Sequence, residues 1–187
     1  MTPTNPASPI DLTAIAVRAL MLYSLTEFQS GNATTIRVTA EGTSFSIADD
    51  GRGHPIDKTV EGVSYLNFIY THFDYPFESG RAAPIQLQGI GMSLINAICS
   101  ELDLTVKKPE ATLRLMFREG RLHSTSRTEA ASIETGITIS ARINEKLGAS
   151  AVANNQLEEW LLTVLDTSPT LKLFFNDRQL QRRLPSV

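Results

Sequence analysis

Between residues 12 and 29 apolar side chains fall on nearly every face of a helical period, and only Arg18 and Glu27 carry charge. A helix apolar on so many sides is predicted to lie buried between a sheet and other elements. Asp11 supplies an N-cap for it, and Ser30-Gly31 a stop. The period then drops to two, predicting strands over 36–39 and 44–48 joined at Glu41-Gly42. Helical spacing returns over 60–73, followed by a loop with two prolines and one glycine to residue 84, and again over 90–102. Strands are predicted over 104–108, 112–118, 120–125 and 136–143. The repeat Leu157, Trp160, Leu161, Val164 marks a helix over 154–166, and residues 171–175 form the strand that closes the sheet. Hairpins segregated from helices predict an α+β fold, a two-layer sandwich with the helices on one face of the sheet.

Chemistry concentrates in two glycine motifs. The first, Asp49-Asp50-Gly51-Arg52-Gly53-His54-Pro55, follows an alternating strand directly. An acidic pair there can face a pocket while the glycines let a ligand approach the backbone. A buried carboxylate can accept a hydrogen bond from the exocyclic amine of adenine. The bland reading is that Asp49 caps its own turn. The second motif is Gln86-Leu87-Gln88-Gly89-Ile90-Gly91-Met92-Ser93-Leu94-Ile95-Asn96-Ala97, a glycine loop running into a helix. Backbone N–H groups at a helix start favour phosphate.

In this order the motifs resemble the ATPase domain of the GHKL superfamily, most closely that of the gyrase and topoisomerase IV B subunits. The resemblance continues in residues 100–104 (Ser-Glu-Leu-Asp-Leu), Thr135-Gly136, and residues 171–178, and so spans about 12–180. It implies a Bergerat-type fold with a mixed, mostly antiparallel sheet, and an ATP or ADP site. By that likeness Asp49 is the adenine-binding aspartate, Gly51 and Gly53 belong to its loop, and Gly53 admits the ring. Pro55 and Lys108 are secondary contacts. Gln88, Gly89 and Gly91 belong to the phosphate loop, with residues 74–88 as the lid. Glu27 is expected to pair with Arg52 at the pocket mouth; the alternative is two unrelated surface charges.

The departures are as informative. Hydrolysing relatives carry a glutamate that activates water and, four residues on, an asparagine that ligates Mg²⁺. Ala19 and Tyr23 stand at those positions, and no register shift restores them, because residues 12–30 contain no asparagine or aspartate and one glutamate. A methyl group is no base, and a neutral phenol is a poor Mg²⁺ ligand, so no metal site and no Mg²⁺ are expected. Ile137 replaces the threonine that helps hold adenine, unless Thr138 or a water substitutes. His54 replaces an apolar residue of the family loop and reads as a partly exposed packing residue. Three functions follow: a non-hydrolysing adenine-nucleotide domain acting as a ligand-controlled regulatory or interaction protein; a slow ATPase completed by a partner; or a scaffold whose empty site Tyr23 fills.

Composition narrows the partners. With 187 residues and 42% hydrophobic content the chain makes one domain, residues 11–187, behind an arm at 1–10. A formal charge of −3 speaks against a nucleic-acid-coating surface. No apolar run spans a bilayer, and one cysteine, Cys99, fits a buried thiol in a reducing compartment, so a cytoplasmic protein is expected. The expected partners are an unidentified protein and a nucleotide or other flat small molecule. Self-association is expected to go no further than a monomer or weak homodimer. The aromatic run from Tyr65 to Phe77 reads as core or lid packing, and Arg178 with Arg182-Arg183 as a solvated basic tail.

Overall fold

A computed structural model describes residues 10–72, 91–129 and 133–183. The lid at 74–88, with Gln86, Gln88 and Gly89, lies outside them, as does most of the N-terminal arm.

The first helix, α1 (Leu12–Gln29), starts where the Asp11 carboxylate accepts from the Ala14 amide at 2.8 Å. The same carboxylate accepts from the Ala153 amide at 3.0 Å, joining α1 to the start of the last helix. Two strands follow, β1 (Thr35–Glu41) and β2 (Ser44–Asp49), then a short hairpin of β3 (Thr59–Val60) and β4 (Val63–Ser64). The helices α2 (Tyr65–Thr71) and α3 (Met92–Ile98) precede a meander of β5 (Cys99–Lys107), β6 (Ala111–Arg118) and β7 (Arg121–Glu129). After β8 (Gly136–Ile143) and a 3₁₀ turn come α4 (Asn154–Thr167), β9 (Lys172–Phe175) and β10 (Arg178–Gln179).

Among the described residues, eight strands form one sheet in the order β10-β9-β1-β2-β8-β5-β6-β7. Every pairing in it is antiparallel except β1 with β9, where Thr35 faces Lys172 and Val38 faces Phe175. Alternation sends Ile36, Val38, Phe45, Ile47, Leu102, Leu104, Val106, Leu113, Leu115, Ile139 and Ala141 into a single core under the helices. The opposite face is open and polar. There Arg142 and Arg118 reach Glu101 at 3.4 and 3.8 Å, and Arg118 and Arg114 reach Asp103 at 3.1 and 2.7 Å, a charged lattice across β8, β5 and β6.

The two-layer sandwich, with helices on one face of a mostly antiparallel sheet, is as the patterning predicts. Four details differ. The helix expected over 60–73 begins with the β3–β4 hairpin, because Glu61 and Gly62 adopt φ of 51° and 80° and turn the chain back. The helix expected over 90–102 stops at Ile98, and Cys99 opens β5. Residues 171–175 do not close the sheet, since β10 lies outside them. Nor is the basic tail free, because Arg178 pairs with Glu158 at 2.6 Å and Arg183 with Glu159, both on α4. Of the aromatic run, Phe68 and Tyr70 are buried, and the residues from Phe73 onward lie outside the described part. No helix among the described residues is long and apolar enough to cross a membrane.

Candidate functional site

The last residue of β2, Asp49, ends its strand against the C-terminal half of α1. Its Oδ2 accepts from the Ser24 hydroxyl at 2.6 Å and its Oδ1 from the Gly51 amide at 3.0 Å. Burial holds its carboxyl above the ordinary aspartate range, against the pull of those two hydrogen bonds. Asp50, by contrast, points away. It accepts from the Thr34 amide and hydroxyl at 2.7 and 2.6 Å and from the Thr35 amide at 2.9 Å, clipping the loop to the start of β1.

The loop that follows is built by close approaches. A Cβ on Gly51 would lie 2.9 Å from Asp49 Oδ1 and 3.1 Å from Glu27 Cβ, so only glycine lets both carboxylates close in. Gly53, at φ +67°, sits against Val106 and the Gly136 carbonyl. Gly136 itself, at φ +142°, would drive a Cβ to within 2.1 Å of the Asp49 carbonyl oxygen. Glu27 and Arg52 meet in a forked pair: Arg52 Nη2 donates to Oε1 at 2.8 Å, Nε to Oε2 at 3.1 Å, and the Arg52 amide to Oε2 at 3.2 Å. The hydrogen bond from Arg52 is what holds the Glu27 carboxyl below its ordinary range, against partial burial.

These elements enclose a cavity of about 70 Å³. Apolar walls come from Leu20, Ile47, Met92, Ile137 and Ile139, and polar ones from Tyr23, Ser24, Glu27, Asp49 and His54. The Tyr23 phenol is pushed up to about 12 by burial and by Tyr65, so it is neutral at physiological pH. Ala19, expected from the resemblance at the glutamate position, is buried and is not part of the lining.

The structure thus brings Asp49, Glu27, Gly53, Tyr23 and Ile137 to one cavity. Gly51 and Arg52 shape its rim. Lys108 spends its ammonium on the carbonyls of Arg52 (2.7 Å) and Gly53 (3.2 Å), Pro55 is exposed, and Gly91 is the N-cap of α3. Thr138 cannot replace the missing threonine hydroxyl. It follows Ile137 in a strand, so it faces the open side of the sheet, beside Arg37 and Lys107. The side-chain hydroxyl that does reach Asp49 is that of Ser24 on α1. Ser24, 3% exposed, is absent from the sequence expectations, because its role is set by Asp49 on a distant strand. Among the described residues, no group of three or more His, Cys, Asp or Glu side chains converges as a metal site would.

Comparison with known proteins bears on the fold and on the chain's relatives. No protein-family model matches the chain. The topoisomerase IV B subunit of Francisella tularensis is 30% identical over 133 residues, covering 63% of this chain and 19% of that protein. Its counterpart in Mycoplasma genitalium is 25% identical over 169 residues, covering 86% and 26%. The gyrase B subunit of Mycobacterium tuberculosis is 33% identical over 86 residues, covering 44% and 13%. The chain therefore spans about a quarter or less of the curated relatives it matches. Among solved structures, the ATP-binding domain of Francisella tularensis topoisomerase IV, in complex with a small-molecule inhibitor, superposes with a TM-score of 0.74 at 22% identity, covering 90% of this chain and 85% of that one. The 43K ATPase domain of Thermus thermophilus gyrase B, in complex with an aminocoumarin, gives 0.73 at 24% identity, covering 90% and 44%. The chain has the GHKL ATPase fold, and its relatives in sequence are the B subunits of topoisomerase IV and gyrase.

Proposed function

We propose that this chain is a gyrase-B-like adenine-nucleotide-binding domain that holds its ligand without turning it over, and that it acts as a ligand-controlled regulatory or interaction protein. The observation that carries the reading is the placement of the Asp49 carboxylate in a mostly apolar cavity, with Tyr23 beside it where the family has its metal-binding asparagine. Asp49, fixed by Ser24 and Gly51, presents an acceptor to an exocyclic amine. The two carboxylates of the cavity are both engaged, Asp49 by these donors and Glu27 by Arg52, which leaves neither as a free base for water. Loss of a general base costs about two to four orders of magnitude in rate. A neutral phenol adds nothing for Mg²⁺, which prefers charged or carbonyl oxygens. A ligand that fills the site would shift the chain between two association states through its preference for one of them.

The size of the cavity favours a second reading. At about 70 Å³ it is far below the roughly 300–1,000 Å³ of ligand sites, which suits a scaffold whose site Tyr23 narrows. On the first reading Tyr23 turns aside as the ligand enters.

Calorimetry with ATP, ADP and a non-hydrolysable analogue, with and without Mg²⁺, decides between them. Micromolar binding indifferent to Mg²⁺ and lost in Asp49→Asn is the expected result, with phosphate release at background. No heat with any nucleotide supports the scaffold. Mg²⁺-dependent turnover by the purified chain at the rates of working ATPases would overturn both, and turnover that appears only with an added protein marks an enzyme completed by a partner.

A further inference from the structure

The first glycine motif departs from its family at one position inside the cavity, His54. The residue follows Gly53, which has a positive φ, and it joins Asp49, Ser24 and Tyr23 among the residues lining the cavity. Part of His54 reaches the surface, yet its Nε2 is buried and, among the described residues, has no hydrogen-bond partner. Other unpaired buried polar atoms occur at Thr13, Asn67, Tyr70 and Asn96, but none of those residues lines this cavity. A buried polar atom without a partner calls for an explanation, and one on a residue that lines a cavity can be satisfied by a group that enters it. An apolar side chain here would have closed the wall at no such cost.

The ionisation state fits. Burial pulls the imidazole down to about 4, with Glu27 opposing and Lys108 adding to the fall, so the ring is neutral near pH 7. A neutral imidazole carries one donor and one acceptor nitrogen. Asp49, acting as a carboxylate, asks a ligand for a donor. A second group able to give a proton to a ring nitrogen would complement it, because an amino-substituted heterocycle carries both features.

We infer that His54 Nε2 is a ligand-contacting, specificity-determining group of this cavity, donating to a ring nitrogen of the same flat heterocycle whose exocyclic amine faces Asp49. The inference rests on the nucleotide-binding reading above and deepens it: the site selects amino-substituted nitrogen heterocycles and rejects isosteres that have C–H at the contacted ring position.

The experiment compares ATP with its 1-deaza, 3-deaza and 7-deaza analogues by calorimetry, in the wild-type chain and in His54→Ile, His54→Gln and Asp49→Asn. One deaza analogue should bind the wild type roughly five- to tenfold more weakly than ATP, the worth of one hydrogen bond. His54→Ile should erase that penalty, and His54→Gln, which keeps an N–H donor, should retain part of it. Nitrogen resonances of the imidazole give a readout independent of folding of the variants. The chain has three histidines, so the His54 Nε2 signal can be followed in the wild type, and it should move on saturation with ATP. An identical deaza penalty in wild type and His54→Ile, or an Nε2 signal unmoved by saturating ATP, overturns the inference. If Asp49→Asn abolishes binding while every His54 ratio is unchanged, the nucleotide reading stands and the His54 role alone falls. If none of these nucleotides binds, both fall.

Discussion

At Gly136 one added methyl group would meet the Asp49 carbonyl oxygen at 2.1 Å, in a backbone conformation of φ +142° that side chains rarely adopt. Both the overlap and the strain act in the folded state, so Gly136→Ala should lose about 3–5 kcal/mol of stability. A lowered denaturant midpoint at unchanged slope would show it, and a wild-type midpoint would refute the close approach of β8 to the Asp49–Asp50 turn. His54 makes a different kind of demand. Its folded pKa is about 4 against 6.5 for a free imidazole, so between those values the unfolded chain takes up a proton that the native chain refuses. Stability is therefore intact above about pH 6.5 and falls as pH drops toward 4, by about 3 kcal/mol at most. Glu27 and Asp50, both held low, act in the same direction at more acid pH, whereas Asp49, held high, opposes. Chemical denaturation at about pH 7 and pH 4.5 should show a smaller loss in His54→Leu than in wild type. Equal losses would mean that the ring is already solvated. At this scale Asp49, Glu27 and Arg52 were legible because one short motif and one helix turn carry them. Ser24 and the reason for Gly136 were not, because each is defined by a neighbour from a distant element.

Local patterning predicts most elements and differs from the fold at two helix junctions, each for a definable reason. Ile95, Cys99 and Leu102 stand at the i, i+4, i+7 spacing of a helix, while Leu102, Leu104 and Val106 stand at the spacing of a strand. The two periods overlap, and pairing of β5 with β8 on one side and β6 on the other settles it in favour of the strand from Cys99 onward. The thiol at that junction is 1% exposed, and burial pushes it up to about 12 from an ordinary 9.0. About a thousandfold less thiolate is then present than at a free cysteine. An aromatic disulfide reagent near pH 8 should leave native chain unlabelled on the timescale that modifies one thiol per chain in denaturant. Prompt labelling without denaturant would place Cys99 in a region that opens easily. The start of α2 differs from its predicted position for a simpler reason. The turn at Glu61-Gly62 inserts two residues of hairpin geometry into an apolar run, and the glycine was its one sign.

For the whole molecule, the class and the layering were legible because strand and helix periods alternate in blocks, and a helix apolar on most sides had to be sandwiched. The order of strands was not. Nothing in local pattern says that β9 runs parallel to β1, or that β10 adds a further edge. That arrangement bears on how the protein comes into being. The long edge of β1 has β2 on one flank as soon as the hairpin forms, but its other flank waits for β9, which starts at residue 172, far along the chain. Until then a growing polypeptide carries an open hydrogen-bonding border beside Ile36 and Val38, the kind of border to which stray strands attach. Maturation of the sheet is thus timed by synthesis of its last strands, and early release from the ribosome would leave a sticky half-built sheet.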